Sequence, residues 1–434
     1  MSAFFIKYWR CLNPRGNVVD RAATSKESHV EAKERILQIL DVPSAGTGPL
    51  DGILVVDFSR ILAGPYCTML LADLGATVVK IESASGDDTR AFAPPYRGDE
   101  ATYFLSANRN KHSVVLDLLD PGDLAIAQEL AAVADVFVQN FKHGGLEKFE
   151  LDYESVRRTN PTILYNSITG FGTKQGAHLL GYDLLVQGAA GLMSITGEAE
   201  GDPQRVGVAV FDVMTGLHAA IGILAALAHR TASGEGQHVE VNLMMSALSG
   251  LTNQTEAYVA GGVVPTRMGN EHPSIFPYSP LPTAEGSLIV VAGNNGQFRS
   301  LAKAVQLPEL AEDPRFDTPS NRNSNRVELR ALLVEALAAH TAEEWFDILT
   351  GAGLPCAPIN DIGGGVAMAQ RLGLDPVVET EHNGRSVPTV RHPIDYSTIA
   401  PSYKLPPPQL GASSHLIREW AAQQRSEPIE VAVR

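Results

Sequence analysis

From residue 52 onward the chain alternates short β-branched runs with helical stretches, and this rhythm limits the possible folds more than any other feature. GILVVDFS (52–59) predicts a strand, GPYCTMLLADLG (64–75) a helix closed by Gly75, and TVVKIES (77–83) a second strand. SVVLDL (113–118), DVFVQNF (135–141) and TILYNSITGFG (162–172) predict three more, separated by helices over 124–134 and 151–160. Strands spaced by helices in this way form a parallel sheet with helices on both faces. Ligands of such sheets bind beyond the carboxyl ends of the strands. That rule selects residues 58–64, 82–88, 140–145 and 169–172.

Near residue 250 the texture changes. Residues 251–280 are rich in Gly, Pro and Asn and read as a connecting segment. SLIVVAG (287–293) and helical stretches at 298–307, 326–340 and 342–351 predict a smaller α/β domain, and 413–424 a last helix. The expected organisation is an N-terminal surface extension (1–48), a large domain (49–250), a linker (251–268), a small domain (269–360) and a C-terminal segment (361–434) returning to the large domain.

At 434 residues the chain has room for two domains, and no segment reads as an uninterrupted membrane span. A net charge of -15 argues against a nucleic-acid surface, which needs clustered Lys and Arg. Cys11, Cys67 and Cys356 are far apart and form no CxxC pair, which excludes a disulfide framework or zinc ribbon and fits a reducing compartment. We expect a cytoplasmic protein. The mitochondrial matrix is the alternative, because Lys7, Arg10, Arg15 and Arg21 face a single early acid, Asp20.

RVGVAVFDVMTGLHAAIGILAALAHR (205–230) places Asp212 between a β-type run, 206–211, and a long apolar helix from 213. The run reads as a short buried strand and Asp212 as a residue at or near the helix N-cap. There the unpaired N–H groups and the helix dipole favour an ionised carboxylate. Asp212 is then either a structural cap or a reactive carboxylate. GYDLLVQGAAGLMSITG (181–197) carries a second acid, Asp183, close enough in sequence for the two to meet.

GxGxxG is absent after the first strand, and no P-loop, HExxH or GxSxG occurs, so nicotinamide, NTPase, zincin and α/β-hydrolase chemistry lose their usual signatures. SANRNKH (106–112) reads as a basic turn, either solvated or an anion site through Arg109, Lys111 and His112. Lys142 and Lys148 follow a strand end, where the open-sheet rule expects a ligand, and together these cations point to a phosphorylated one. His143 and His238 read as solvated.

In order, LDGILVVDFSRILAGPYCTMLLADLGATVVKIE, GDDTR, SANRNK, DVFVQNF, SITGFG, GYDLLVQG, GLMSITG, VGVAVFDVMTGLHA, GNEHPSIFPY, LPCAPIND and PPPQLG resemble the class III CoA-transferases, the group that also holds the α-methylacyl-CoA racemases. The resemblance covers roughly residues 49–425. It implies a Rossmann-like large domain and an interlocked homodimer. Its substrates would be acyl-CoA thioesters and carboxylates, with succinyl-CoA or another dicarboxylyl-CoA as donor, and with no tightly bound cofactor, metal, nucleic acid or membrane. Asp212 would be the nucleophile. CoA contacts would fall on Leu62, Ala63, Ser83, Leu116, Asn140, Phe141 and Lys142, with Lys148 on a phosphate; Ser83 replaces a common Arg. Tyr182 and Asp183 would border the acyl pocket. The racemases of this group place His before the Asp at that position; Tyr182 stands there and suits proton abstraction poorly at neutral pH. The glycine-rich GNNGQ (293–297) follows a small-domain strand and takes no covering-loop role. An acyl-CoA racemase and a CoA-binding protein without turnover are the alternative readings.

Overall fold

The computed structural model describes residues 21–40 and 48–426. Cys11 and the early cations Lys7, Arg10 and Arg15 lie outside them. The chain divides into two compact units.

The larger unit gathers the described residues up to Val186, Ala209–Gly250 and those from Val377 on. Its elements are α1 (Arg21–Ile39), β1 (Leu54–Asp57), α2 (Ala63–Asp73), β2 (Thr77–Glu82), β3 (Lys111–Val115), α3 (Pro121–Val133), β4 (Val136–Gln139), α4 (Tyr153–Thr159), β5 (Leu164–Thr169), α5 (Asp183–Ala189), α6 (Val210–Ser233), β6 (Gln237–Asn242), α7 (Leu243–Gly250), the hairpin β7 (Val377–His382) and β8 (Arg385–Val390), and α8 (Ser414–Ser426). β1 to β6 form one sheet in the order β3-β2-β1-β4-β5-β6, parallel throughout. The order reverses between β1 and β4, the place where doubly wound sheets open a ligand crevice. β1 and β2 are mainly β-branched and apolar because helices cover both faces, and every residue of these two strands, Asp57, Lys80 and Glu82 included, is buried.

On one face Phe58, Phe137 and Tyr165 stack in a row at 4.9 and 4.8 Å between centroids. The core around them takes in Ile36 of α1, Leu130 of α3 and Trp420 of α8. α1 therefore departs from the expected surface extension: Ala32, Ile36 and Leu40 are buried, and Trp420 Nε1 donates to the Ala32 carbonyl at 3.0 Å. On the other face α6 packs against α2, β5, β6 and α7. By length and composition α6 is a helix capable of crossing a bilayer, contrary to the expectation that no segment is. Near the C-terminus, Ser402 N–H bonds the Asp73 carbonyl at 2.7 Å, Asn110 N–H the Leu405 carbonyl at 2.9 Å, and Val115 N–H the Ser414 hydroxyl at 2.9 Å.

The smaller unit comprises Gln187–Val208 and Leu251–Pro376. Its three strands (Tyr278–Pro282, Ser287–Val291 and Cys356–Pro358) are antiparallel. Helices Asn295–Ala304, Arg326–Leu337 and Ala342–Gly351 close a core around Phe298, Leu333 and Trp345. A helix, Thr252–Val259, stands inside the stretch read as linker. GNNGQ serves as a capping box: Asn294 Oδ1 accepts the Gln297 N–H at 2.9 Å, and Gln297 reaches back.

Candidate active site

Asp212 lies in the first turn of α6, three residues past the N-cap Ala209, which has no side chain to bond the free N–H groups. Asp183, the first residue of α5, supplies the missing acceptor. Its Oδ1 takes the Phe211 N–H at 2.8 Å and the Asp212 N–H at 3.3 Å. One carboxylate thus caps the helix, and the other is brought beside it. The expected strand over 206–211 does not form. No strand pairs with this run among the described residues; the Gln187 amide takes the Val206 N–H at 2.9 Å and gives to the Val208 carbonyl at 3.3 Å, and Val208 is 55% exposed. The expectation of a readily ionised Asp212 is also overturned. Burial, with the Asp183 charge second, lifts its pKa to about 7. Helix-terminal stabilisation is spent on Asp183 instead.

Asp212 lines a cavity of about 280 Å³ beyond the carboxyl ends of β1, β4 and β5. Arg60 to Ala63 form one wall, Asn140 to His143 a second, and residues 168–172 and 177–182 with Leu243 the rest. Two glycines bring segments 168–172 and 177–182 together: a Cβ on Gly170 would stand 2.3 Å from the Gly181 Cα, and one on Gly181 2.4 Å from the Gly170 Cα. That backbone contact sets Tyr182 at the cavity and Asp183 under the α6 terminus.

The structure brings Leu62, Ala63, Asn140, Phe141, Lys142, Tyr182 and Asp212 to this one cavity. Four other residues stand apart from its lining. Asp183 is buried behind Asp212, and Ser83 is exposed, its hydroxyl 2.9 Å from that of Ser85. Leu116 is 2% exposed and belongs to the hydrophobic core. Lys148 is exposed, with its ammonium 4.6 Å from the centroid of the Phe149 ring.

The basic turn expected at SANRNKH is neither solvated nor an anion site. Arg109 makes two bonds to Asp73, at 2.9 and 2.5 Å. Lys111 is fully buried, 3.4 Å from Asp57, and burial lowers its pKa to about 8. Burial holds His112 down at about 4 and therefore neutral. His238 is not free in solvent either: its ring stacks on Tyr153 at 4.9 Å and its Nε2 is 2.8 Å from the Ser167 hydroxyl. With His143 it lines a neighbouring cavity of about 340 Å³.

Sequence reasoning passed over Tyr103, whose phenol is kept protonated by burial and then by the nearby charges of Asp212 and Asp183. It also passed over the buried ions Asp57, Lys80 and Asp87. Their signal was present: a Lys inside TVVKIE or an Asp inside LVVD, buried on both faces, requires a partner. Among the described residues no group of three or more His, Cys, Asp or Glu is placed to hold a metal ion.

Comparison with known proteins converges on one family. Residues 50–414 match the model of CoA-transferase family III. The chain is 42% identical to the succinate–glutarate CoA-transferase of Agrobacterium fabrum (strain C58) over 373 residues, 84% of this chain and 93% of that one. It is 41% identical to the succinyl-CoA:glutarate CoA-transferase of Mus musculus over 375 residues, 86% of each. The crystal structure of a CAIB/BAIF family protein from Brucella suis superposes with a TM-score of 0.79 at 40% identity, covering 87% of this chain and all of that one. A parallel sheet opened at its switch point, a half-buried carboxylate at the cavity and a family match spanning both units lead to one conclusion: the chain belongs to CoA-transferase family III.

Proposed function

We propose that this enzyme moves CoA between carboxylic acids through a covalent intermediate on Asp212, with succinyl-CoA or another dicarboxylyl-CoA as donor. The observation that carries the reading is the Asp212 carboxylate at the cavity, its pKa lifted to about 7. A carboxylate near 7 is a better nucleophile than one near 4 and remains substantially ionised at neutral pH. It would attack the thioester carbonyl and expel CoA thiolate, leaving a mixed anhydride. The thiolate would then attack the aspartyl carbonyl, releasing the donor acid and leaving an aspartyl-CoA thioester. An acceptor carboxylate would repeat the two steps in reverse order. Lys142 and the turn before α2 would hold the CoA moiety, and Tyr103 would face the acids as a protonated donor. The two transferases compared above, whose names specify succinate or succinyl-CoA, support the choice of donor.

The isomerase alternative needs a base beside Asp212. Asp183 is already committed to two backbone N–H groups, and Tyr182 stands where that chemistry needs an imidazole. A homodimer is part of the same proposal. Leu217, Ile221 and Leu224 of α6 and Met245 of α7 leave an apolar strip uncovered, and a second copy is its proposed cover.

Incubation with succinyl-CoA and no acceptor tests the mechanism. Hydroxylamine should convert the activated Asp212 to a hydroxamate, seen by peptide mass spectrometry, and Asp212→Ala should lose both adduct and turnover while still binding CoA. Solvent deuterium entering the acyl α-carbon, with no adduct ever trapped, would refute transfer in favour of isomerisation.

A further inference from the structure

The turn joining β1 to α2 walls the cavity, and buried charges hold its backbone from beneath. Lys80, fully buried in β2, donates from Nζ to the Ser59 carbonyl at 2.8 Å and to Asp87 Oδ2 at 2.9 Å. Asp57 accepts the Ser59 N–H at 2.8 Å, and Asp87 Oδ1 accepts the Ile61 N–H at 3.3 Å. Lys111 Nζ reaches the Pro65 carbonyl at 2.8 Å. From the far wall Asn140 brackets Arg60, taking its N–H at 3.0 Å and giving to its carbonyl at 2.8 Å. Between these tethers Ile61 has a φ of +70°, a left-handed conformation that β-branched residues avoid.

Such strain persists only where the surroundings over-determine it. Buried ions are themselves costly unless paired, so four of them under one turn call for an explanation. We infer that the Lys80–Asp87 pair is a positioning group for acyl-CoA binding: it holds Ile61 left-handed and keeps residues 59–63 in the shape that forms the cavity wall. The inference rests on the proposed reading of the cavity as the acyl-CoA site. Neither residue lines the cavity, so neither contributes a ligand contact. Burial works against both charges, but Asp57 and Asp87 keep Lys80 above its usual pKa and Lys80 keeps Asp87 below its own. The pair therefore stays ionised across the neutral range and acts by geometry.

Lys80→Met removes the Ser59 tether. Asp87→Asn keeps an oxygen for the Ile61 N–H but drops the charge that draws Lys80. Either change should raise KM for succinyl-CoA about tenfold, the order of the left-handed strain released, with kcat within about twofold. Adding Ile61→Gly to Lys80→Met should return KM towards that of Ile61→Gly alone, since glycine holds a positive φ at little cost. A core role without positioning would lower stability and leave this rescue absent. The inference is overturned by a folded Lys80→Met protein with unchanged KM, by a fall in kcat at constant KM, or by a KM rise that Ile61→Gly does not reduce. Should Lys80→Met fail to fold, Asp87→Asn with and without Ile61→Gly carries the same measurement; failure of both to fold assigns the pair to the core and also overturns it. If the wild-type protein shows no succinyl-CoA turnover, the functional reading fails instead, and CoA affinity by calorimetry reads the same variants.

Discussion

Replacing Asp183 with Asn keeps an oxygen to accept the Phe211 and Asp212 N–H groups while deleting the negative charge beside Asp212. In the wild-type protein Asp212 titrates at about 7 against an ordinary value of 3.8. Holding the carboxyl that high opposes its ionisation by about 4 kcal/mol. Because nucleophilic attack needs the carboxylate, kcat/KM for succinyl-CoA should climb with pH at unit slope and level off above about pH 8, reporting the free enzyme. At pH 6 the wild-type enzyme should work at about a tenth of its plateau, and at pH 5 at about a hundredth. Burial is the larger cause of the lift and Asp183 the smaller. Asp183→Asn should therefore move the limb to lower pH without returning it to the ordinary carboxylate range. Stability follows with a definite sign. Between about pH 4 and 7 the folded state holds a proton that the unfolded chain has lost, so stability falls as pH rises through that window, and the variant should show less of this fall. A wild-type profile flat from pH 5 to 8, or a limb that moves upward in Asp183→Asn, would refute the reasoning.

Lys142→Ala should raise KM for acyl-CoA about tenfold with little change in kcat, whereas Lys148→Ala, outside the cavity lining, should change KM less than Lys142→Ala does; steady-state kinetics separates them. Gly216→Ala should lower stability by about 1–3 kcal/mol in urea and also reduce kcat, because its Cβ would meet the Ala63 carbonyl at 2.6 Å and force α6, which carries Asp212, off α2. Trp420→Ala should cost about 3–5 kcal/mol, read from the first denaturation transition, by emptying a core position and removing the bond to Ala32.

β1, β2, β4 and β5 were legible because strands buried on both faces are short, β-branched and mainly apolar, and here each is bounded by turn or helical sequence. The start of α6 was not. Val206 to Phe211 carry the same β-branched signal as those strands, but no neighbouring strand pairs with them, and pairing is a tertiary fact. The nearness of Asp183 and Asp212 was readable from their motifs; which acid would take the helix N–H groups was not, since that depends on α5 docking against the α6 terminus. SANRNKH shows the converse error. Three cations in a polar string look solvated until Asp73 and Asp57, from α2 and β1, cover two of them. Leu116 illustrates the limit of alignment: a motif locates a residue, but its side chain here lies in the core.

The contact between Trp420 and Ala32 spans 388 positions. At about 5–20 residues per second, a ribosome takes roughly 20–80 seconds to make the second partner after the first. Throughout that interval Ile36 and the neighbouring apolar faces of α1 and α3 lack the helix that completes their cover. β6 is also delayed, since the 22 residues of Gln187–Val208 and all of α6 must be synthesised between β5 and its neighbour. The nascent chain thus carries an open strand edge until β6 emerges and an uncovered apolar face until α8 does, a demand on chaperone shielding that a unit continuous in sequence would not make.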